Sequence, residues 1–285
     1  MIGKLKTKLK KMKHFAILFI SIFTSVVLFA AEVDTVIISS KAMQKDIRAV
    51  VIKPSTYENA SNKFPVVYLL HGYSGNFSDW VTKVPQLTRL AEENQVLIVC
   101  PDGDTASWYF DSPVNQKMKY ETYIGKEVPA FIDSRYKTIS HREARAITGL
   151  SMGGHGAMFI GYRHAQTFGG IGSMSGAVDL EGLKKSRLIY NILGDTSQYE
   201  KYYEEFNVLN IVKEYPADSI ALIIDCGVDD FLFEANQKLH QELLNLKTPH
   251  DYIERPGKHD WPYWANAVEY QLVFFRNYFD KMKGK

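Results

Sequence analysis

The sequence is poor in cysteine and nearly balanced in charge. It has 2 Cys in 285 residues, too few for the disulfide framework of a small secreted domain. Lys and Arg number 34 against 32 Asp and Glu, a net charge of +2 that does not indicate a nucleic-acid partner. Hydrophobic residues make up 46% of the chain, which excludes a disordered polymer. The composition is that of a globular protein.

The first 31 residues contain no acidic residue. Six lysines precede Phe15, and an apolar run then extends from Phe15 to Ala31. A basic segment followed by an apolar run is typical of an export signal. The end of the run matches a small-residue cleavage site poorly, so two alternatives stand: a cleaved signal, which is favoured, and an uncleaved membrane anchor. No Cys follows the run, so no lipid attachment is expected. We predict a periplasmic or extracellular protein that contacts a membrane only through this segment.

Without this leader, the rest of the chain is mildly acidic. Removing the six leader lysines from 34 basic residues leaves 28 against 32 acidic ones, a net charge of −4. Residues 32–285 have the size of a single α/β domain, and no repeat or inter-domain linker interrupts them. We therefore predict a leader over 1–31 and one domain over 32–285. The sequence does not indicate an oligomeric state.

Short apolar runs alternate with helical stretches along this domain. Segments 35–39 and 46–52 predict a short antiparallel N-terminal hairpin. Further strands are predicted at 65–70, 96–100, 144–148, 169–174, 220–226 and 251–254, and helices at about 80–93, 120–136, from 152, 232–246 and from 263. Apolar strands between amphipathic helices favour an α/β fold with a mainly parallel central sheet and helices on both faces. Stretches 101–119 and 178–218 are predicted as irregular, substrate-contacting loops, and no large lid is expected.

A G-x-S-x-G sequence, Gly149 to Gly153, lies between a predicted strand and a predicted helix. A serine at such a turn needs a strained backbone and close approach on both sides, which flanking glycines allow. The pentapeptide alone is weakly specific, and a glycine-rich turn with an idle serine is the alternative. Its position between strand and helix predicts Ser151 as a catalytic nucleophile.

A serine hydroxyl becomes a good nucleophile when a base takes its proton, and the base needs an acid to fix its tautomer. In hydrolases with this motif the chain order is Ser, acid, His. Of the eight histidines, only His259 follows the final predicted strand. For the acid we favour Asp230, just after the strand at 220–226, over its neighbour Asp229 and over Asp225 within the strand run.

Negative charge on the tetrahedral intermediate is usually stabilised by backbone N–H groups. The N–H of Met152, directly after the nucleophile, is one candidate donor. The second is the N–H of Tyr73 in the loop after the first long core strand, where Gly72 lets the backbone approach. His71 precedes the serine in the chain and is predicted to brace this loop.

Four segments appear in a fixed order: HGYSG at 71–75, GLSMGGHGA at 149–157, GVDDFL at 227–232 and GKHDW at 257–261. These four segments make the region from about residue 45 to residue 278 resemble a known esterase family. That family groups S-formylglutathione hydrolases, feruloyl and acetyl-xylan esterases, tributyrin esterases and mycolyltransferases. The resemblance implies an α/β-hydrolase fold, a triad of Ser151, Asp230 and His259, and an oxyanion hole from Tyr73 and Met152.

The export leader is unlike the cytosolic formylglutathione hydrolases, and the loop after His71-Gly72 lacks the cysteine often found in them. The chain resembles secreted bacterial feruloyl or acetyl-xylan esterases more. The expected function is therefore a secreted serine carboxylesterase that acts on feruloyl or acetyl esters of plant polysaccharide. The alternatives are a formylglutathione-type thioesterase, a short-chain (tributyrin-type) esterase, an acyltransferase and a non-catalytic binding module.

Several smaller features complete the expectations. Trp108 and Trp261 are candidates for the substrate pocket, although aromatic residues there are equally often packing. Cys100 and Cys226 end strands that other strands separate in the implied fold, so two buried thiols are expected. No zinc-ligand spacing, phosphate loop or nucleotide fingerprint is present, so neither a metal nor a cofactor is predicted.

Overall fold

Eight strands form one sheet in this computed structural model, which describes residues 32–184, 186–215 and 220–283. The predicted leader lies outside these residues. The strands are β1 Glu32–Ser40, β2 Lys45–Lys53, β3 Val66–Leu70, β4 Leu97–Pro101, β5 Arg145–Gly149, β6 Gly170–Met174, β7 Ala221–Gly227 and β8 Asp251–Arg255. Their order across the sheet is β1-β2-β4-β3-β5-β6-β7-β8. β1 pairs antiparallel with β2 and β2 with β4, whereas every other neighbouring pair is parallel.

The predicted N-terminal hairpin is confirmed but is longer than expected. β1 pairs with β2 over nine residues, from Glu32 opposite Lys53 to Ser40 opposite Lys45. β1 alternates between exposed and more buried positions, as expected for the edge strand of a sheet. β3 to β6, in contrast, are buried at every residue because helices cover both faces of the parallel part.

Ten α-helices flank the sheet in the described residues: α1 Asp79–Lys83, α2 Leu87–Asn94, α3 Tyr120–Thr122, α4 Val128–Arg135, α5 Met152–Arg163, α6 Arg187–Leu193, α7 Thr196–Glu205, α8 Val208–Glu214, α9 Phe233–Asn245 and α10 Trp261–Lys283. A π-helical turn, Tyr123–Glu127, joins α3 to α4. One hydrophobic core lies on each face of the sheet. Within the described ranges, no helix is long and apolar enough to cross a membrane.

A proline divides one of the predicted helices, and a second predicted helix is continuous over 120–135 but contains a π-helical turn. The stretch predicted as one helix at 80–93 is two, because Pro85 disfavours helical conformation in Val84, whose φ and ψ are −127° and 73°. In the stretch predicted at 120–136, Pro129 has no N–H to donate to the carbonyl four residues earlier, and the preceding turn is π-helical.

The stretch 178–218 was predicted as an irregular loop, but its described residues, 178–184 and 186–215, are largely helical. It contains α6, α7 and α8, which begin at side-chain caps: Ser186, Asp195 and Asn207 each accept a backbone N–H two residues ahead. In each of these short helices the cap satisfies one of the N–H groups of the first turn, which have no partner within the helix. Stretch 101–119 has no helix, in agreement with the prediction.

Candidate active site

Ser151 lies on a tight turn between β5 and α5. Its φ and ψ are 54° and −117°, a left-handed conformation that exposes the side chain above the sheet. A Cβ added to Gly149 would lie 2.6 Å from the carbonyl oxygen of Gly153. A Cβ added to Gly153 would lie 2.5 Å from the carbonyl oxygen of His71. Both flanking glycines are therefore sterically required, as the motif predicts.

The structure brings the three predicted triad residues together. His259 Nε2 is 2.9 Å from Ser151 Oγ, and His259 Nδ1 is 2.9 and 3.0 Å from the two carboxylate oxygens of Asp230. Asp230 follows β7 and His259 follows β8, so both side chains project from the carboxyl ends of strands in the same sheet as β5. The arrangement is that of a hydroxyl, a base and an acid in series.

The environment of Asp230 favours its ionised form. Its side chain has no exposed surface, and one carboxylate oxygen accepts the N–H of Leu232 at 2.8 Å. Burial by itself raises the pKa of Asp230, but the hydrogen bonds from His259 and the Leu232 N–H outweigh burial and hold the pKa below its ordinary value. An ionised Asp230 accepts the Nδ1 proton of His259, which leaves Nε2 free to accept the proton of Ser151.

Asp225 and Asp229, the two alternatives for the catalytic acid, are not hydrogen-bonded to His259 in the described chain. Asp225 is fully buried, and its carboxylate pairs with the Arg255 guanidinium and accepts the Tyr263 hydroxyl. Burial raises the pKa of Asp225. Asp229 is exposed on the loop, and its backbone N–H donates to Gly257. Of the three candidates, Asp230 is the one hydrogen-bonded to His259.

Two backbone N–H groups are available beside Ser151. Met152 is the first residue of α5, and Tyr73 lies in the loop after β3. In the part of the chain that the structure describes, neither N–H has a hydrogen-bond acceptor. A Cβ on Gly72 would lie 2.6 Å from Leu150 and 3.4 Å from the Ser151 Cβ, so the loop passes close to the nucleophile. These N–H groups have the position expected of an oxyanion hole.

His71 fixes the loop that carries Tyr73. The Gly103 N–H donates to its Nε2 at 2.8 Å, its Nδ1 is 2.8 Å from the Gly72 carbonyl, and the Tyr109 hydroxyl donates to its carbonyl. Because Nε2 accepts the Gly103 N–H, the ring is neutral and donates from Nδ1, and burial, which lowers the pKa of His71, favours this form. The bracing role predicted for His71 matches these contacts.

A cavity of about 740 Å³ opens onto Ser151 and His259. Both predicted pocket residues, Trp108 and Trp261, lie in its lining. The Trp108 indole is buried and donates to the Leu188 carbonyl at 3.0 Å, so α6 forms part of the wall. A pocket of this size accommodates a small organic ester.

The sequence analysis missed several apolar lining residues, among them Leu183, Leu188 and Phe231. The two leucines lie in stretch 178–218, which was predicted to contact the substrate but as an irregular loop, so no individual residue of it was named. Phe231 directly follows the predicted acid, so its place in GVDDFL was a usable signal. The Phe231 ring centroid is 4.4 Å from that of His259.

Neither a metal cluster nor a disulfide occurs in the described ranges. No group of three His, Cys, Asp or Glu residues there is arranged to hold a metal ion. Cys100 and Cys226 are free, buried thiols on β4 and β7, which β3, β5 and β6 separate in the sheet. The expectation of two buried thiols is confirmed.

The sequence profile of a family described as "Putative esterase" matches residues 40–275. The chain belongs to this esterase family. This esterase is 30% identical to an acetyl esterase of Caldicellulosiruptor saccharolyticus over 235 residues, 74% of this chain and 84% of the relative. It is also similar to a solved ferulic acid esterase structure, with a TM-score of 0.76 and 31% identity over 88% of this chain and 99% of the other. The protein is a serine ester hydrolase with an α/β-hydrolase fold.

Acyltransferases are also among its relatives. The esterase is 24% identical to the diacylglycerol acyltransferase/mycolyltransferase Ag85A of Mycobacterium gordonae over 269 residues. The alignment covers 81% of this chain and 76% of the relative. Hydrolysis and acyl transfer therefore occur among proteins similar to this one.

Proposed function

We propose that this esterase is exported and hydrolyses feruloyl or acetyl esters of plant polysaccharide through an acyl-enzyme on Ser151. The observation that carries the proposal is the continuous hydrogen-bond series from Ser151 Oγ through His259 to Asp230. Such a series activates a serine hydroxyl for nucleophilic attack.

In the first half-reaction Ser151 Oγ attacks the ester carbonyl carbon while its proton passes to His259 Nε2. The carbonyl oxygen becomes an oxyanion and accepts hydrogen bonds from the N–H groups of Tyr73 and Met152. The C–O bond to the alcohol then breaks, and His259 returns the proton to the alcohol oxygen. Asp230 stays ionised throughout and stabilises the imidazolium.

In the second half-reaction water replaces the alcohol. His259 takes a proton from water as the water oxygen attacks the acyl carbon, and the second tetrahedral intermediate uses the same two N–H groups. Collapse releases the carboxylic acid and returns the proton to Ser151 Oγ. No cofactor is needed for either half.

Two observations support the substrate class. The acetyl esterase and the ferulic acid esterase named above are both about 30% identical to this chain over most of its length. Trp108 lines a cavity of about 740 Å³, which is large enough for an aromatic acyl group. The basic and apolar leader supports export.

Acyl transfer to an alcohol is the second candidate, supported by the similarity to the mycolyltransferase. Product analysis with an added sugar alcohol distinguishes the two reactions, because a transferase forms a new ester and a hydrolase forms free acid. Thioester hydrolysis is distinguished by direct comparison of S-formylglutathione with methyl ferulate, acetylated xylan and tributyrin.

The catalytic assignment is tested by Ser151→Ala. This variant is expected to lose nearly all turnover of p-nitrophenyl acetate with an unchanged circular dichroism spectrum. Ser134→Ala serves as the matched control, since Ser134 is exposed on α4 and its Oγ donates only to the Phe131 carbonyl in the described fold. Retention of activity by Ser151→Ala would refute the assignment.

Export is tested by cell fractionation of the full chain and of a chain lacking residues 2–31. The full chain is expected in the periplasm or medium and the shortened chain in the cytoplasm. Equal distribution of the two forms would contradict the proposal. N-terminal sequencing of the mature full-length protein separates a cleaved signal from an anchor.

A further inference from the structure

Phe231 is the most exposed large hydrophobic residue near the catalytic serine. Its side chain is 78% exposed, although it lies in the same loop as the buried Asp230. Its ring contacts the His259 ring with a centroid distance of 4.4 Å and an interplanar angle of 49°. It also lines the cavity above Ser151. Exposed aromatic surface is unfavourable in water, and Phe231 supplies no group to the mechanism given above.

The chemistry of His259 places the alcohol of the substrate beside this ring. His259 Nε2 must reach the alcohol oxygen to protonate it as the C–O bond breaks, so the alcohol lies next to the imidazole. Phe231 contacts that imidazole and faces the open cavity. We propose that Phe231 is a stacking surface for the alcohol part of the substrate, which in the proposed function is a sugar residue.

The groups around Phe231 support a sugar over a lipid chain. Trp261 provides a second aromatic side chain in the lining, and aromatic rings stack against the C–H faces of sugars. Asp79, Lys83 and Asp260 line the same cavity and can hydrogen-bond to sugar hydroxyls. A lipid chain would cover these charged groups without offering them a partner, which is costly. Among the described residues, no carboxylate forms an ion pair with Lys83.

The inference rests on the proposed function. Two esters that share an acyl group but differ in the alcohol test the inference separately from the esterase activity. Methyl ferulate and a feruloyl arabinofuranoside form the same acyl-enzyme, and kcat/KM reports only the steps up to alcohol release. Phe231→Ala is expected to lower kcat/KM about tenfold on the sugar ester, in line with one lost aromatic contact, and only about twofold on methyl ferulate. Phe231→Trp is expected to retain the preference for the sugar ester.

Val228→Ala is the matched control. Val228 lies in the same loop and is 42% exposed, but it does not line the cavity, so its replacement is expected to affect both esters equally and slightly. The pH profile of kcat/KM should be the same in Phe231→Ala as in the wild type, because His259 keeps its contact with Asp230.

Equal losses on the two esters, or a displaced pH profile, would overturn the inference and leave Phe231 as a support for His259. No loss on the sugar ester would overturn it too. Wild-type cleavage of methyl ferulate but not of the sugar ester would overturn the inference while the esterase mechanism stands. Cleavage of neither ester, nor of acetylated xylan, would overturn the proposed function and the inference with it.

Discussion

The carboxylate of Asp230 determines which tautomer His259 adopts, because it accepts the Nδ1 proton. Its two oxygens are 2.9 and 3.0 Å from Nδ1, and the Leu232 N–H holds the carboxylate in place. A neutral amide at this position would present an NH₂ or a weaker acceptor to Nδ1. The imidazole would then be free to adopt the tautomer in which Nε2 carries the proton and cannot act as a base.

Asp230→Asn is therefore expected to lower kcat by about 10³–10⁴-fold with little change in stability. Asp229→Asn, one residue earlier and exposed, is expected to stay within about twofold of the wild type, as surface substitutions usually do. Steady-state kinetics on p-nitrophenyl acetate measures both. A larger loss in Asp229→Asn than in Asp230→Asn would contradict the geometry.

At the scale of elements, the turn from β5 into α5 requires close contact between backbones. A Cβ on Gly153 would lie 2.5 Å from the carbonyl oxygen of His71 and 2.6 Å from that of Leu70. Alanine normally stabilises a helix relative to glycine by about 1 kcal/mol. Here that gain is outweighed, because α5 would have to move away from the end of β3.

Gly153→Ala is expected to lower the free energy of unfolding by about 1–3 kcal/mol, the usual cost of overpacking. Gly182→Ala is the control, since no atom lies within 4 Å of the Cβ it would add. Urea denaturation followed by tryptophan fluorescence measures both. Equal stability of the two variants would show that α5 tolerates the shift.

The contact between α5 and the turn before α8 depends on a neutral histidine. His155 is fully buried, and its Nε2 is 3.0 Å from the Phe206 carbonyl. Burial lowers the pKa of His155 from 6.5 to about 4. Between these values the unfolded chain binds a proton that the folded chain does not, so stability decreases as the pH falls from 6.5 toward 4.

The full effect of His155 amounts to about 3 kcal/mol. His155→Gln is expected to lose less stability than the wild type between pH 7 and pH 4.5, whereas His141→Gln, which replaces an exposed histidine, should follow the wild type. Urea denaturation at a series of pH values tests this. The same pH dependence in all three proteins would show that His155 is protonated without cost.

At the scale of the whole molecule, the fold is expected to hold without a covalent cross-link. Cys100 and Cys226 are buried on strands that three others separate, and burial raises the pKa of both thiols. Thiol titration is expected to detect none in the native protein and two after denaturation. The melting temperature should be the same with and without reductant. A lower melting temperature in reductant would indicate a disulfide and contradict this sheet order.

Most of the sheet could be predicted from the sequence because buried parallel strands are continuous apolar runs. The predicted strand at 65–70 differs from β3 by one residue at its start, and those at 96–100 and 144–148 are each shifted by one residue from β4 and β5. The same strand pattern made Ser151, Asp230 and His259 predictable. Each of them follows a predicted strand, and they occur in the order nucleophile, acid, base that is known for hydrolases with this motif. Strand ends at one edge of a sheet bring such residues together.

Two features of the site could not be predicted in the same way. α6 to α8 have 7, 10 and 7 residues, too few for a periodic pattern to identify a helix securely, and they depend on their caps and on packing such as the hydrogen bond from Trp108 to Leu188. The exposure of Phe231 depends on what surrounds it in space, and composition gives no measure of that. The sequence therefore predicted Trp108 and Trp261 in the cavity wall, whereas the contributions of Leu183, Leu188 and Phe231 became visible only in the structure.

The distance along the chain between the catalytic residues bears on when the enzyme becomes active. Ser151 and His259 are 108 residues apart in the sequence, and they meet only when β8 has paired with β7. A growing or unfolded chain has the nucleophile but no base, and it is chemically inert. If the chain is exported unfolded through its leader, as the proposed function implies, it folds and becomes active only outside the cytoplasm. The cell would then make this hydrolase without exposing its own cytoplasmic esters to it.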